Sequence, residues 1–183
     1  MISRTLTLLL CLVFCLTLVA CAEEPGPALQ GTVTWIYDGD TLEIDTLGKV
    51  RLIGIDTPER EDSSRDRYLA EKGVTAAMQR QIYQAAKKFN ITHVKGQKVN
   101  LTLDDPTRDR HDRLLAYVHL PDGRLLNRVL VEQGLAVVYR RFEFKMKQEF
   151  LVAEDKARRS ELGVWEKAAT ARELHIATPE SVR

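Results

Sequence analysis

The start of the chain, Thr5 to Val19, is almost entirely apolar, and apolar residues fall into short periodic patterns after it. From Gln30 to Tyr37, β-branched and aromatic residues (Thr32, Val33, Thr34, Trp35, Ile36) partly alternate, which predicts a strand. Asp38-Gly39-Asp40 interrupts it. Thr41 to Asp45 alternates again with Leu42 and Ile44 on one face, and Val50 to Ile55 is a third strand. The four residues Thr46 to Lys49 between them suit a hairpin loop. Thr57-Pro58 ends the third strand, because proline has no N–H to give a ladder.

The period then becomes helical. Tyr68 to Asn90 is predicted as a helix broken at Gly73, with Met78, Ile82, Ala85, Ala86 and Phe89 on one buried face. Val99 to Leu103 and Leu114 to Leu120 are two further strands, joined by the polar loop Asp104 to Arg113. Pro121-Asp122-Gly123 is a tight turn, and Leu125 to Gln133 a helix stopped by Gly134. Ala136 to Tyr139 is extended. Phe142 to Leu162 reads as an amphipathic helix with Met146, Phe150, Ala153 and Ala157 inside, and Gly163-Val164-Trp165 closes the domain. Five short strands with helices late in the chain predict an α+β domain. The expected architecture is a five-stranded OB-type β-barrel with about three helices and an inserted helical segment.

The opening apolar run is about fifteen residues, short of the roughly 20 needed to span a bilayer. With Arg4 before it, the segment 1–20 is expected to be a secretory signal peptide. Leu18-Val19-Ala20-Cys21 resembles a bacterial lipobox, which makes Cys21 the expected lipid anchor and the protein an envelope lipoprotein. Ala22 lacks the aspartate associated with inner-membrane retention, which favours the outer membrane where there is one. Residues 21–29, with Pro25, Gly26 and Pro27, read as a tether, 30–166 as the folded domain, and 167–183 as a loose tail. Cys11 and Cys15 would leave with the signal, so the mature chain could form no internal disulfide. The formal charge is only +1, so attraction to an anionic polymer must come from a few placed cations.

If the hairpin turn centres near Leu47 and Gly48, paired residues sum to about 95 and Asp40 falls beside Ile55 and Asp56. Two adjacent carboxylates repel, and a hard divalent cation removes the conflict. Thr57 can add its backbone carbonyl and Glu59 can reach such an ion through water. Arg51 and Arg113 can clamp a phosphoryl group whose negative charge grows in the transition state.

Three blocks carry a resemblance: Tyr37-Asp38-Gly39-Asp40-Thr41, the run Val50 to Glu59 ending in Asp-Thr-Pro-Glu, and Asp109 to Tyr117. Together with Asn127 to Ala136 and Gly163-Val164-Trp165, they resemble the staphylococcal nuclease (thermonuclease) family over about Gly31 to Trp165. The resemblance implies one calcium ion on Asp40, Asp56 and the Thr57 carbonyl. It implies Glu59 as general base toward water, and Arg51 and Arg113 on the scissile phosphate of DNA or RNA, leaving 3′-phosphate ends. Arg110, His111 and Tyr139 are the expected substrate contacts, and a monomer is expected. The alternative is a binding module for nucleic acid or protein that kept the barrel and lost catalysis.

Two departures stand out. His111-Asp112 replaces the aromatic residue and glycine usual before the second arginine; His111 is either a base-stacking or proton-donating group or an exposed loop residue. Arg60 to about Arg80 is longer than the family's connection and follows Glu59 directly, so it should overhang the site. As a lid it would bring Arg60, Arg65 and Arg67 to phosphates; otherwise it is a solvated insertion.

Overall fold

The computed structural model describes residues 29–166. The proposed signal peptide, Cys21, the tether as far as residue 28 and the tail lie outside the described residues. Strands β1 (Leu29–Ile36), β2 (Thr41–Ile44), β3 (Gly48–Leu52), β5 (Lys98–Arg108) and β6 (Leu114–His119) close a barrel in the order β1-β2-β3-β6-β5. All pairings are antiparallel except β3 with β6, which is parallel. Two short strands, β4 (Ile55–Asp56) and β7 (Val137–Val138), pair beside the barrel. Four helices complete the domain: α1 (Arg67–Ala70), α2 (Ala76–His93), α3 (Leu126–Glu132) and α4 (Lys147–Arg159). None of the helices among the described residues is long and apolar enough to cross a membrane.

The α+β barrel matches the expected architecture. Alternation does the work: Val33, Leu42, Ile44, Val50, Leu52, Val99 and Leu101 point inward and are buried, with Phe150 and Leu130 sealing the core from α4 and α3.

Three boundaries differ from expectation. Hairpin partners sum to 92, not 95: Thr41 faces Arg51 and Leu42 faces Val50, and the chain leaves the sheet after Leu52. The predicted third strand therefore divides, with Ile53-Gly54 turning between β3 and β4. Gly54 takes φ +79°, and a Cβ there would lie 2.5 Å from the Phe144 ring. The strand predicted at Val99 to Leu103 runs on to Arg108, shortening the polar loop. The last helix starts at Lys147 rather than Phe142, because Phe142 and Phe144 join Tyr139 and Phe150 in an aromatic cluster with ring centroids 5.1–5.9 Å apart.

Two polar residues tie the additions to the barrel. Asn127, fully buried on α3, accepts the Val118 N–H at 3.0 Å and donates to the Ile53 and Ala116 carbonyls at 2.9 and 3.2 Å. Glu154, buried on α4, accepts the Val138 N–H at 2.8 Å and pairs with Arg140, which also reaches the Tyr68 hydroxyl. At the end of the domain the backbone of Gly163 crosses that of Gly134 so closely that neither position has room for a Cβ, and the Val164 N–H donates to the Gly134 carbonyl.

Candidate active site

Asp40 sits at the end of a turn that is held from both sides. The Asn90 side chain donates to the Gly39 carbonyl at 2.9 Å, and Thr57 lies against Gly39, where a Cβ would come within 2.6 Å of its methyl. Asp40 is almost fully buried. Its Oδ2 accepts both the N–H and the hydroxyl of Thr57 at 2.9 Å, and its Oδ1 accepts the Thr41 hydroxyl at 3.2 Å.

Arg51 projects from the outer side of β3 between two carboxylates. One Nη pairs with Asp40; the other reaches Asp56 Oδ1 at 2.7 Å and the Ile55 carbonyl at 3.2 Å. Burial pulls its pKa below the ordinary arginine value, and Asp56 works the other way. The divided strand explains this arrangement. Asp40 lies opposite Leu52, whose N–H donates to the Asp40 backbone carbonyl at 2.8 Å, and Asp56 arrives on β4 after the Gly54 turn. The two acids therefore face a common cation rather than each other across a ladder.

Arg113 enters β6 with its guanidinium fixed by Asp109, which accepts from Nε at 2.8 Å and pairs with Nη2 at 2.7 Å. The same carboxylate accepts the backbone N–H groups of His111 and Arg113. Burial alone would raise the Asp109 pKa, but these bonds outweigh it and hold it below the usual carboxylate value. Arg113 Nη1 approaches the Thr41 hydroxyl at 3.4 Å, so Thr41 links Arg113 to Asp40.

Glu59 contacts neither acid. Its Oε1 pairs with Arg65 Nη1 at 2.5 Å. Arg65 belongs to the long segment after Glu59, folded by a capping box in which Ser63 accepts the Arg65 and Asp66 N–H groups and Asp66 accepts that of Ser63. Arg80 holds Asp66 at 2.8 Å, and Leu69 and Val74 pack with Ile82, Val137 and Val164. The segment is thus a docked wall, and Ser64, Arg65, Tyr68 and Leu69 line the cleft with Arg51, Asp56, Glu59 and Arg113. Of the three arginines expected there, Arg65 alone lines it. Arg60 is 76% exposed beside Glu61, and Arg67 does not line the cleft.

The cleft is open, about 650 Å³. His111 and Arg110 stand exposed at its rim, with Arg110 Nε 3.1 Å from His111 Nε2; Tyr139 lines it and packs on Phe142. The structure thus gathers Arg51, Asp56, Thr57, Glu59, Arg110, His111, Arg113 and Tyr139 around one cleft, with Asp40 beneath it. Among the described residues no three His, Cys, Asp or Glu side chains converge on one point. The acidic side chains that meet here are two, Asp40 and Asp56, and both pair with Arg51. Asp109 and Asn127 are positioning residues that the motifs contained without revealing their partners.

The family model for staphylococcal nuclease homologues matches residues 49–167. The chain belongs to this family. As a staphylococcal nuclease homologue it is 35% identical to a thermonuclease of Staphylococcus intermedius over 141 residues, covering 72% of this chain and 73% of that protein. An uncharacterized protein of Methanocaldococcus jannaschii is 31% identical over 148 residues, covering 74% and 70%. Endonuclease YncB of Bacillus subtilis is 32% identical over 143 residues, covering 75% of this chain and 62% of the endonuclease. In this staphylococcal nuclease homologue both the wall after Glu59 and His111 line the cleft, whereas Asp112 turns away and pairs with Arg108 at 3.5 Å.

Proposed function

We propose that this chain hydrolyses phosphodiester bonds of DNA or RNA with one calcium ion, leaving 3′-phosphate ends. The observation that carries this reading is the convergence of Arg51, Asp56, Glu59 and Arg113 on one open cleft in a staphylococcal nuclease homologue. Asp40, Asp56 and the Thr57 carbonyl make an all-oxygen donor set, which suits a hard cation such as calcium or magnesium. The charge that Arg51 supplies between the two acids marks where a cation is wanted. Bound there, the ion would polarise a phosphoryl oxygen.

The chain's own groups do the rest. Relieved of neutralising both acids, Arg51 offers paired Nη donors to a phosphoryl oxygen, and Arg113, aimed by Asp109, offers a second set. Glu59 takes the proton of the attacking water. His111, Arg110 and Tyr139 stand where the flanking nucleotide would lie. Leu18 to Cys21 supports a lipid-anchored protein of the bacterial envelope, outer membrane favoured, with a monomeric catalytic domain.

Residues 22–183 should cleave single- or double-stranded DNA or RNA when calcium is present. Chelator should abolish cleavage and added calcium restore it. Oligonucleotide binding without turnover under calcium, magnesium or manganese would leave a binding module instead.

A second expectation concerns the wall. Arg65 is about half exposed, so Arg65→Ala should change stability by no more than about 0.5 kcal/mol. Removing one exposed cation from the path of a phosphate costs about 1 kcal/mol, so KM should rise about fivefold with kcat within about twofold. Unchanged KM in steady-state assays at low salt would show that Arg65 serves Glu59 alone.

A further inference from the structure

The outer face of β1–β3 carries a feature that catalysis does not use. On β2 and β3 the residues Leu42, Ile44, Val50 and Leu52 fill the barrel, so Thr41, Glu43, Lys49 and Arg51 face out. A bulge between Val33 and Trp35 breaks the alternation of β1. Val33 and Ile36 remain buried, while Thr34 and Trp35 both turn outward, followed by Tyr37. Trp35 is 54% exposed and Tyr37 36%. Each has a lysine over its ring: Lys95 Nζ lies 4.7 Å from the Trp35 centroid and Lys49 Nζ 4.6 Å from that of Tyr37.

The register joins these residues to the cleft. Trp35 faces Glu43, which faces Lys49; Thr41 faces Arg51, and the Tyr37 N–H donates to the Thr41 carbonyl at 3.1 Å. Two rows result, Tyr37–Thr41–Arg51 and Trp35–Glu43–Lys49, about 7 Å apart along the strands. Trp35 then stands about 12 Å from Arg51, counting two strand spacings and one row. That is the reach of a couple of nucleotides in an extended strand.

Building on the nuclease reading above, we propose that this face is a track for single-stranded nucleic acid leaving the cleft. Lys95 and Lys49 leave the rings of Trp35 and Tyr37 for the phosphates, and successive bases stack on the rings in their place. Alternating aromatic and basic groups in line with a phosphate-gripping arginine is the arrangement that holds single strands without reading sequence. A duplex keeps its base faces stacked inside and cannot use the rings. The acids on this face are tied down: Glu43 accepts the Tyr37 hydroxyl at 2.9 Å and opposes Lys49, Asp45 accepts the Thr32 N–H, and Asp38 accepts the Asp40 N–H. These three carboxylates offset Lys49 and Lys95, so the track carries no net positive charge, and stacking rather than long-range attraction supplies its affinity.

The test compares the wild type with Trp35→Ala and Trp35→Phe. Substrates are a dinucleotide, a single strand of roughly twelve nucleotides and a duplex of the same length, since stacking acts per base. Trp35→Ala should raise KM for the long single strand about tenfold, leaving kcat and the dinucleotide KM unchanged. Trp35→Phe should recover most of the loss. Equal effects on all three substrates, or none on any, would overturn the track. If the wild type cleaves nothing, the nuclease reading fails by itself. Fluorescence anisotropy of the same labelled strand then decides the track, which stands if Trp35→Ala weakens binding about tenfold and falls if it does not.

Discussion

Replacing Arg51 by alanine is expected to lower kcat by about 10²–10³-fold, the usual cost of losing one preorganised donor to a transition-state oxyanion. The magnitude follows from where the side chain is held. It projects from a strand whose neighbours Val50 and Leu52 are locked in the core, and its guanidinium has only 13% of its side-chain surface exposed. Three oxygens from Asp40, Asp56 and Ile55 fix its orientation. Once a cation takes the two carboxylates, the strand and the Ile55 carbonyl still hold the guanidinium at the cleft. Its freed N–H groups then need little further movement when charge builds on the phosphoryl group. Arg51→Lys should recover little, because an ammonium cannot present two parallel N–H groups to separate oxygens. The measurement is kcat and KM under saturating calcium, with circular dichroism to confirm folding. A variant keeping a tenth or more of wild-type kcat would mean that Arg51 serves only to neutralise the acids.

Asn127→Ala should destabilise the domain by about 3–5 kcal/mol. The side chain satisfies the Val118 N–H and two carbonyls, Ile53 and Ala116, in a fully buried position. Each group left without a partner costs about 1–3 kcal/mol. The Ala116 carbonyl also accepts the Ile53 N–H at 3.1 Å, so its share of the loss is smaller. Urea denaturation should show a lower midpoint with an unchanged slope. A loss below about 1 kcal/mol would mean that water reaches this site and replaces the amide. Because Ile53 leads into the Gly54 turn and Asp56, Asn127→Ala should also lower activity at temperatures where the variant is still folded.

Strand alternation makes the barrel legible in the sequence, and the motif residues are the ones that gather around one cleft. Asp40, Arg51, Asp56, Glu59 and Arg113 lie in local runs whose spacing survives any small error of register. What was illegible depends on distant partners. The break after Leu52 comes from β3 docking in parallel on β6, about 60 residues later, and from Phe144 filling the space over Gly54. Local pattern favours a continuous strand there. The start of the last helix is hidden for the same reason: Phe142 fits the spacing of Met146 and Phe150, yet the aromatic cluster recruits it together with Phe144. Arg65 was visible as a charge, but its place against Glu59 depends on the Ser63–Asp66 capping box and on Arg80. The wall was readable as an insertion and not as a docked one, because Val137 and Val164, which seat Leu69 and Val74, are remote in sequence.

The glycine crossing at the end of the domain sets an order in time. Synthesis runs from the N-terminus, and Val164, buried beneath Leu69 and Val74, is among the last residues of the domain to leave the ribosome. Until the backbone at Gly163 has met that at Gly134, the wall carrying Arg65 lacks part of its floor. Arg51, Asp56 and Glu59 lie early in the chain, whereas Arg140 and Arg141 of the same cleft follow β7 and come late. The wall beside Glu59 is thus finished only when the last turn of the domain has docked, which ties the shape of the cleft to residues far from it in sequence.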